Sequence, residues 1–172
     1  MRPRHPKLPT RWLMTDERLG EDVWDALRRL PPGSGVVFRH YRTPPAERRQ
    51  LFARVLRVAR ARGLVLVRAG AMPMPGEMGV HARRGQGLVT WPVHDRREAL
   101  TAVREGAKVV FVSPLFATRS HPGAAPLAPH RAAAIARGLP VMAIALGGMD
   151  ARRFGKVRGL GFAGYAGIDC WS

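Results

Sequence analysis

Cysteine is nearly absent: Cys170 is the only one in 172 residues. A single thiol excludes an internal disulfide and any cysteine-cluster metal site. Lysine is almost as scarce, with Lys7, Lys108 and Lys156 the only three among 29 basic residues. Acidic residues number 12, so the net charge is +17. No apolar run approaches the length of a membrane span. The first ten residues are basic and proline-containing, without the apolar segment of a signal peptide. These absences point to a cytoplasmic protein that does not engage a membrane.

What is present fits a globular protein. Hydrophobic residues make up 46% of the chain, and this length is enough to bury a substantial core. We expect a basic tail over residues 1–10 and one domain over residues 11–172. The arginine surplus has two readings. A field of Lys and Arg attracts polyanions. Arginine with abundant Ala, Gly and Pro is also what a GC-rich genome writes on solvated faces. The arginines are spread over several helices with few aromatics between them. That disfavours nucleic acid as the partner and leaves anionic small molecules.

The apolar pattern alternates between two periods. Strand candidates are Trp12–Thr15, Gly35–Tyr41, Leu64–Val67, Gly79–Ala82, Leu88–Val93, Val109–Ser113, Val141–Leu146 and Phe162–Ile168. Helical spacing appears over Glu21–Leu30, from Pro45 to Gly63, from Asp95 to about Glu105, near Pro129–Arg137 and over Asp150–Val157. Asp95 with Glu98 three residues on matches a capping box. Repeated strand–helix alternation demands parallel strands with right-handed crossovers. Eight strands suggest an α/β fold of the closed (β/α)8, TIM-type kind, yet the chain is short for one. The saving falls after the third, fourth and eighth strands, where no helix fits. A compressed barrel missing those outer helices would bare apolar surface, which a homo-oligomer would cover.

Two neighbouring strands end in unusual loops. Val109–Val112 runs into Ser113-Pro114 and a loop with hydroxyls, Arg119 and His121. Val141–Leu146 runs into Gly147-Gly148. Such loops at the carboxyl ends of parallel strands suggest a phosphate-sized pocket.

The residues around these loops resemble a known family. Ser113 to Pro122 is similar to the loop after the sixth strand of thiamine phosphate synthases, which shows Gly-Pro-x-x-Pro-Thr-x-Thr-Lys. Ala143 to Met149 resembles its Ala-Ile-Gly-Gly-Ile segment, and Val93-His94 before Glu98-Ala99-Leu100 its Ser-x-His…Glu-Ala run. Gly106-Ala107 is similar to its Gly-Ala-Asp lead into the sixth strand. The resemblance is good over residues 87–168 and thin before them. It implies a (β/α)8 barrel that joins a pyrimidine methyl pyrophosphate to a thiazole phosphate, releasing pyrophosphate with Mg²⁺. A phosphorylated heterocycle is the implied partner.

Carried across, the resemblance places Thr118 and Ser120 on phosphate, with Gly147, Gly148, Gly167 and Ile168 around the thiazole phosphate. The pyrophosphate half departs from the pattern. Of the family's Gln-x-Arg-x-Lys on the second strand, Arg39 is kept, while Val37 and Tyr41 replace the others. The family's loop Lys becomes His121, and its Ser before His94 becomes Pro92. Its Asn-Asp at the end of the third strand becomes Arg68-Ala69, so no carboxylate stands there for Mg²⁺. No cofactor is therefore expected, unless Mg²⁺ arrives with the substrate pyrophosphate. Arg39, Arg68 and His121 would then stabilise pyrophosphate, with His94 and Tyr41 as further pocket residues. Arg68 either replaces the metal by clamping phosphate directly or marks a site that no longer reacts. The sister tautomerases carry a catalytic His where this chain has Pro114, which cannot move a proton. Three functions stay open: the coupling enzyme, a non-catalytic binder of a phosphate ligand, and a basic nucleic-acid-associated protein.

Overall fold

A computed structural model describes residues 7–118, 123 and 125–171. Eight parallel strands close into a barrel in chain order. They are β1 (Arg11–Met14), β2 (Gly35–Phe38), β3 (Val65–Arg68), β4 (Gly79–His81), β5 (Leu88–Val93), β6 (Val109–Val112), β7 (Met142–Ala145) and β8 (Gly164–Gly167). Five helices sit outside: α1 (Asp22–Arg29), α2 (Pro45–Ala61), α3 (Arg96–Arg104), α4 (Pro129–Ala136) and α5 (Ala151–Val157). All eight expected strands are present, and among the described residues no α-helix follows β3, β4 or β8.

Five of the strands are shorter than their apolar runs, and β2 shows why. It ends at Phe38 because the Arg39 N–H donates to the Thr15 side chain at 3.0 Å instead of to a strand. The capping box over Asp95 and Glu98 forms only in part. Asp95 accepts the Glu98 N–H at 2.8 Å, but the Glu98 carboxylate reaches past Asp95 to the His94 N–H at 2.7 Å. Asp95→Ala is expected to cost about 1 kcal/mol, read as a small fall in melting temperature.

Register decides which side chains face inward. Trp12 on β1 and Phe111 on β6 meet edge to face, with ring centroids 5.2 Å apart. These strands are not neighbours, so the contact crosses the barrel interior. Gly35 lies beside Trp12 in register, and a Cβ there would sit inside the indole ring; no other residue leaves room for it. Phe38, one position out of phase with Val37, instead packs on Phe52 of α2 at 5.3 Å. Alternation along each strand then fixes the rest. Arg39, His94, Ser113, Leu146 and Ile168 are the inward positions just past the ends of β2, β5, β6, β7 and β8. Arg68 pairs with Phe38 and faces outward.

The chain fills its own missing-helix gaps. After β3, Met74 is buried and the Met78 N–H donates to Leu66 O at 2.9 Å. After β4, the tight turn lays Gly85 against Val80. After β8, a 3-10 turn (Asp169–Trp171) stacks Trp171 on Tyr165, with ring centroids 5.5 Å apart. The Trp171 indole N–H donates to Trp12 O at 3.0 Å. Among the described residues only Tyr41 and Leu100 are exposed large hydrophobics. At the other end, Leu8 packs on the core and the Thr10 carbonyl accepts from Tyr165 at 2.9 Å. No described helix is long and apolar enough to cross a membrane.

Candidate functional site

A cleft of about 500 Å³ opens at the carboxyl ends of the strands, lined by Arg39, His94, Ser113 and the loops after β6, β7 and β8. This size suits a small phosphorylated ligand. One wall is the paired loops after β6 and β7. The Leu115 N–H donates to Leu146 O at 3.0 Å, and the Phe116 N–H to Gly147 O at 3.1 Å. Gly147 and Gly148 take φ of +95° and +57°, the left-handed region that favours glycine. A Cβ on Gly147 would lie 2.8 Å from Pro114 Cα, and one on Gly148 would overlap Ala117 O. Glycine is thus needed for the loops to touch at all. Among the described residues, the Gly147 and Gly148 amides donate to no protein acceptor. A pair of unspent backbone donors in a cleft is an anion-binding feature.

Thr118, Gly167 and Ile168 line the same cleft. Ser120 and His121 lie outside the described residues. Arg39 reaches the mouth through a fixed geometry. Its Nε donates to Thr15 O at 2.9 Å, and its Nη2 to Asp16 Oδ2 at 3.4 Å. Burial lowers its pKa from the ordinary guanidinium value, and Asp16 opposes that shift; a guanidinium remains charged at neutral pH regardless. Burial works to raise the Asp16 pKa, but the Arg18 N–H and Arg39 outweigh it and hold it below 3.8. His94 faces the cleft with its Nδ1 held 2.9 Å from Glu98 Oε2.

Two expected residues stand elsewhere. Tyr41 is 59% exposed and does not line the cleft. Arg68 is buried on the outer face of β3, a position set by its register with Phe38. Its Nε and Nη2 donate to the Glu77 carboxylate at 2.7 and 2.9 Å. Its Nη1 donates to Gly70 O. The expectation that Arg68 offers charge to pyrophosphate is therefore corrected: alternation turns it away from the mouth, and Glu77 neutralises it. Glu77, unnoticed in the sequence, also accepts the Met74 N–H at 2.8 Å. The Arg68 hydrogen bond, against opposing burial, holds its pKa below 4.5.

Other cleft residues escaped sequence reasoning. Asp150 caps α5 by accepting the Arg153 N–H at 2.7 Å. Arg153 donates to Gly148 O and lies over the Phe116 ring at 5.4 Å. The signal was available, since a helix opening directly after a Gly-Gly turn brings its first turn to the mouth. Cys170 lines the cleft, but burial pushes its thiol up to about 12, which removes it as a nucleophile at neutral pH. His81 is sealed inside the barrel, 2.9 Å from Thr90 Oγ1. Burial pushes its pKa down to about 3, so it stays neutral and braces the barrel.

The Mg²⁺ that the resemblance implies does not fit these residues. Among those described, no three His, Cys, Asp or Glu side chains converge. The β3 end supplies an outward arginine, whose carboxylate partner Glu77 is spent on it; of the two aspartates that line the cleft, Asp150 caps α5 and Asp169 follows β8. No step is routed through a metal here.

Comparison with solved structures supports the fold. The thiamine phosphate pyrophosphorylase of Pyrococcus furiosus superposes with a TM-score of 0.78 at 18% identity, over 92% of this chain and 85% of that one. The thiamine phosphate pyrophosphorylase of Bacteroides thetaiotaomicron gives 0.61 at 16% identity, over 95% and 84%. An HpcH/HpaI aldolase of Desulfitobacterium hafniense gives 0.56 at 11% identity, over 94% and 86%. No curated protein matches the chain in sequence. The family model described as thiamine monophosphate synthase matches residues 13–170, and the chain belongs to that family.

Proposed function

We propose that this barrel binds a thiazole phosphate at the Gly147–Gly148 loop and couples it to a pyrimidine methyl pyrophosphate. The observation that carries the reading is the pair of unspent glycine amides, held in place by the loop after β6. They would take the ester phosphate, with Thr118 and Ile168 beside it. Arg39 faces the leaving group from β2. The bond between the pyrimidine methylene carbon and the pyrophosphate oxygen breaks, and the electron pair leaves with pyrophosphate. The thiazole nitrogen lone pair then forms the new carbon–nitrogen bond. Fixed cationic donors favour this step because charge develops on the leaving group.

The outward turn of Arg68 and the unfit metal donor set favour a second reading, a non-catalytic homologue that keeps only the phosphate pocket. Incubation of the protein with both substrates separates the two. Formation of thiamine phosphate above the uncatalysed rate is the expected result. No product, with thiazole phosphate still raising the melting temperature, would establish the second reading and reject the first. Absence of any thermal shift would reject both.

A further inference from the structure

We infer that Arg153 is a positioning residue for the glycine-loop site: it fixes the peptide that follows Gly148 and ties the loop after β6 to the first turn of α5. This rests on the phosphate reading proposed above. Glycine itself creates the need. A Gly-Gly turn lets the two loops touch, yet glycine adopts either sign of φ at little cost. The turn alone therefore does not fix where its peptide groups point. Three consecutive peptides cross it, Leu146–Gly147, Gly147–Gly148 and Gly148–Met149, and each needs a partner to hold it.

The loop after β6 holds the first two. The Leu115 N–H takes Leu146 O at 3.0 Å, and the Phe116 N–H takes Gly147 O at 3.1 Å. All three peptides are trans, and a planar trans peptide sets its N–H opposite its C=O. Those two bonds thus aim the Gly147 and Gly148 amides. The third carbonyl, Gly148 O, accepts from no backbone N–H among the described residues. Arg153 Nη1 donates to it instead. The same planarity then sets the direction of the Met149 amide, and Met149 lines the cleft.

Arg153 is itself held from two elements. Its backbone N–H donates to Asp150 Oδ1 at 2.7 Å, and its Nε lies 3.9 Å from Asp150 Oδ2. Its guanidinium stands 5.4 Å from the centroid of the Phe116 ring, within reach of a cation–π attraction. Phe116 is also the residue whose amide holds Gly147. One side chain therefore joins α5, the glycine loop and the loop after β6. It is half-exposed, so its ion pair with Asp150 adds little stability. Its contribution is to where the loop points rather than to whether the barrel folds.

Arg153→Ala and Arg153→Lys test this, with the exposed neighbour Arg152→Ala as control. Each protein is labelled with nitrogen-15, its amide spectrum is recorded without ligand, and thiazole phosphate is titrated calorimetrically. Arg153→Ala is expected to move the Gly148 and Met149 amides of the free protein by more than Arg152→Ala does. It should weaken thiazole phosphate about tenfold while its melting temperature stays with that of the control. Lysine keeps a donor and a cation for the ring, so Arg153→Lys should recover most of the affinity. Weakened binding with both amides unmoved in the free protein would overturn the inference, because Arg153 would then act on the ligand itself. So would parent-like affinity in Arg153→Ala, or an Arg153→Lys variant as weak as the alanine one. Those outcomes leave the phosphate reading standing. A parent that binds no thiazole phosphate rejects that reading and this inference with it.

Discussion

Gly148→Ala is expected to reduce thiazole phosphate affinity by about two orders of magnitude, the scale of losing two charge-assisted hydrogen bonds. The new Cβ would overlap Ala117 O, a backbone atom of the partner loop, so one loop must move. Movement breaks the register in which Leu115 and Phe116 donate to Leu146 and Gly147 and misaims both glycine amides. The left-handed backbone at position 148 adds about 1–2 kcal/mol of instability. Gly33→Ala isolates that second effect. Gly33 also has positive φ, +80°, but nothing lies within 4 Å of its Cβ position, and it is far from the cleft in the fold. The Gly33 variant should lose similar stability and keep ligand affinity. Calorimetry on the two variants side by side separates aiming from folding. Equal affinities would remove the β7 loop from the site.

Glu77→Gln is expected to destabilise the protein by about 3 kcal/mol, because it leaves a buried guanidinium without its counter-charge. The Arg68 side chain is 5% exposed and its partner 22%, so solvent screens the pair weakly. For a domain of this size the melting temperature should fall on the order of 10 °C. The same pair predicts a pH dependence. Glu77 has a folded pKa below its ordinary 4.5. Its contribution is therefore fully present above pH 4.5 and is lost as pH falls through the lower folded value. Acid unfolding of the parent should include this loss, and the glutamine variant should show a shallower dependence below pH 4.5. An unchanged melting temperature at pH 7 would mean Arg68 is solvated from elsewhere.

The barrel was legible because each strand is an apolar run closed by Gly, Pro or a polar loop, and each helix carries an apolar stripe. Even the absent helices could be read, since Gly70–Met78 holds too many Pro and Gly to make one. The phosphate wall was legible for a related reason. Gly147-Gly148 is visible as a motif, and the chain order of β6 and β7 makes their loops neighbours. Arg68 was misread because alignment to a family motif counts positions along the strand without saying which face each takes. The Phe38–Arg68 pairing that turns it outward depends on strand register, a long-range property. Its partner Glu77 lies on an irregular loop with no period to reveal it. Arg153 and the Asp150 cap were visible as a helix start, but their place at the mouth needed the closed barrel.

The central claim is that the two loop glycines present their amides to a phosphate. Amide chemical shifts of a uniformly nitrogen-15-labelled sample, followed during addition of thiazole phosphate, test it most directly. The account predicts the largest shifts at Gly147 and Gly148, saturating together with the calorimetric isotherm. A bound ligand that leaves those two amides unmoved while shifting others would contradict it.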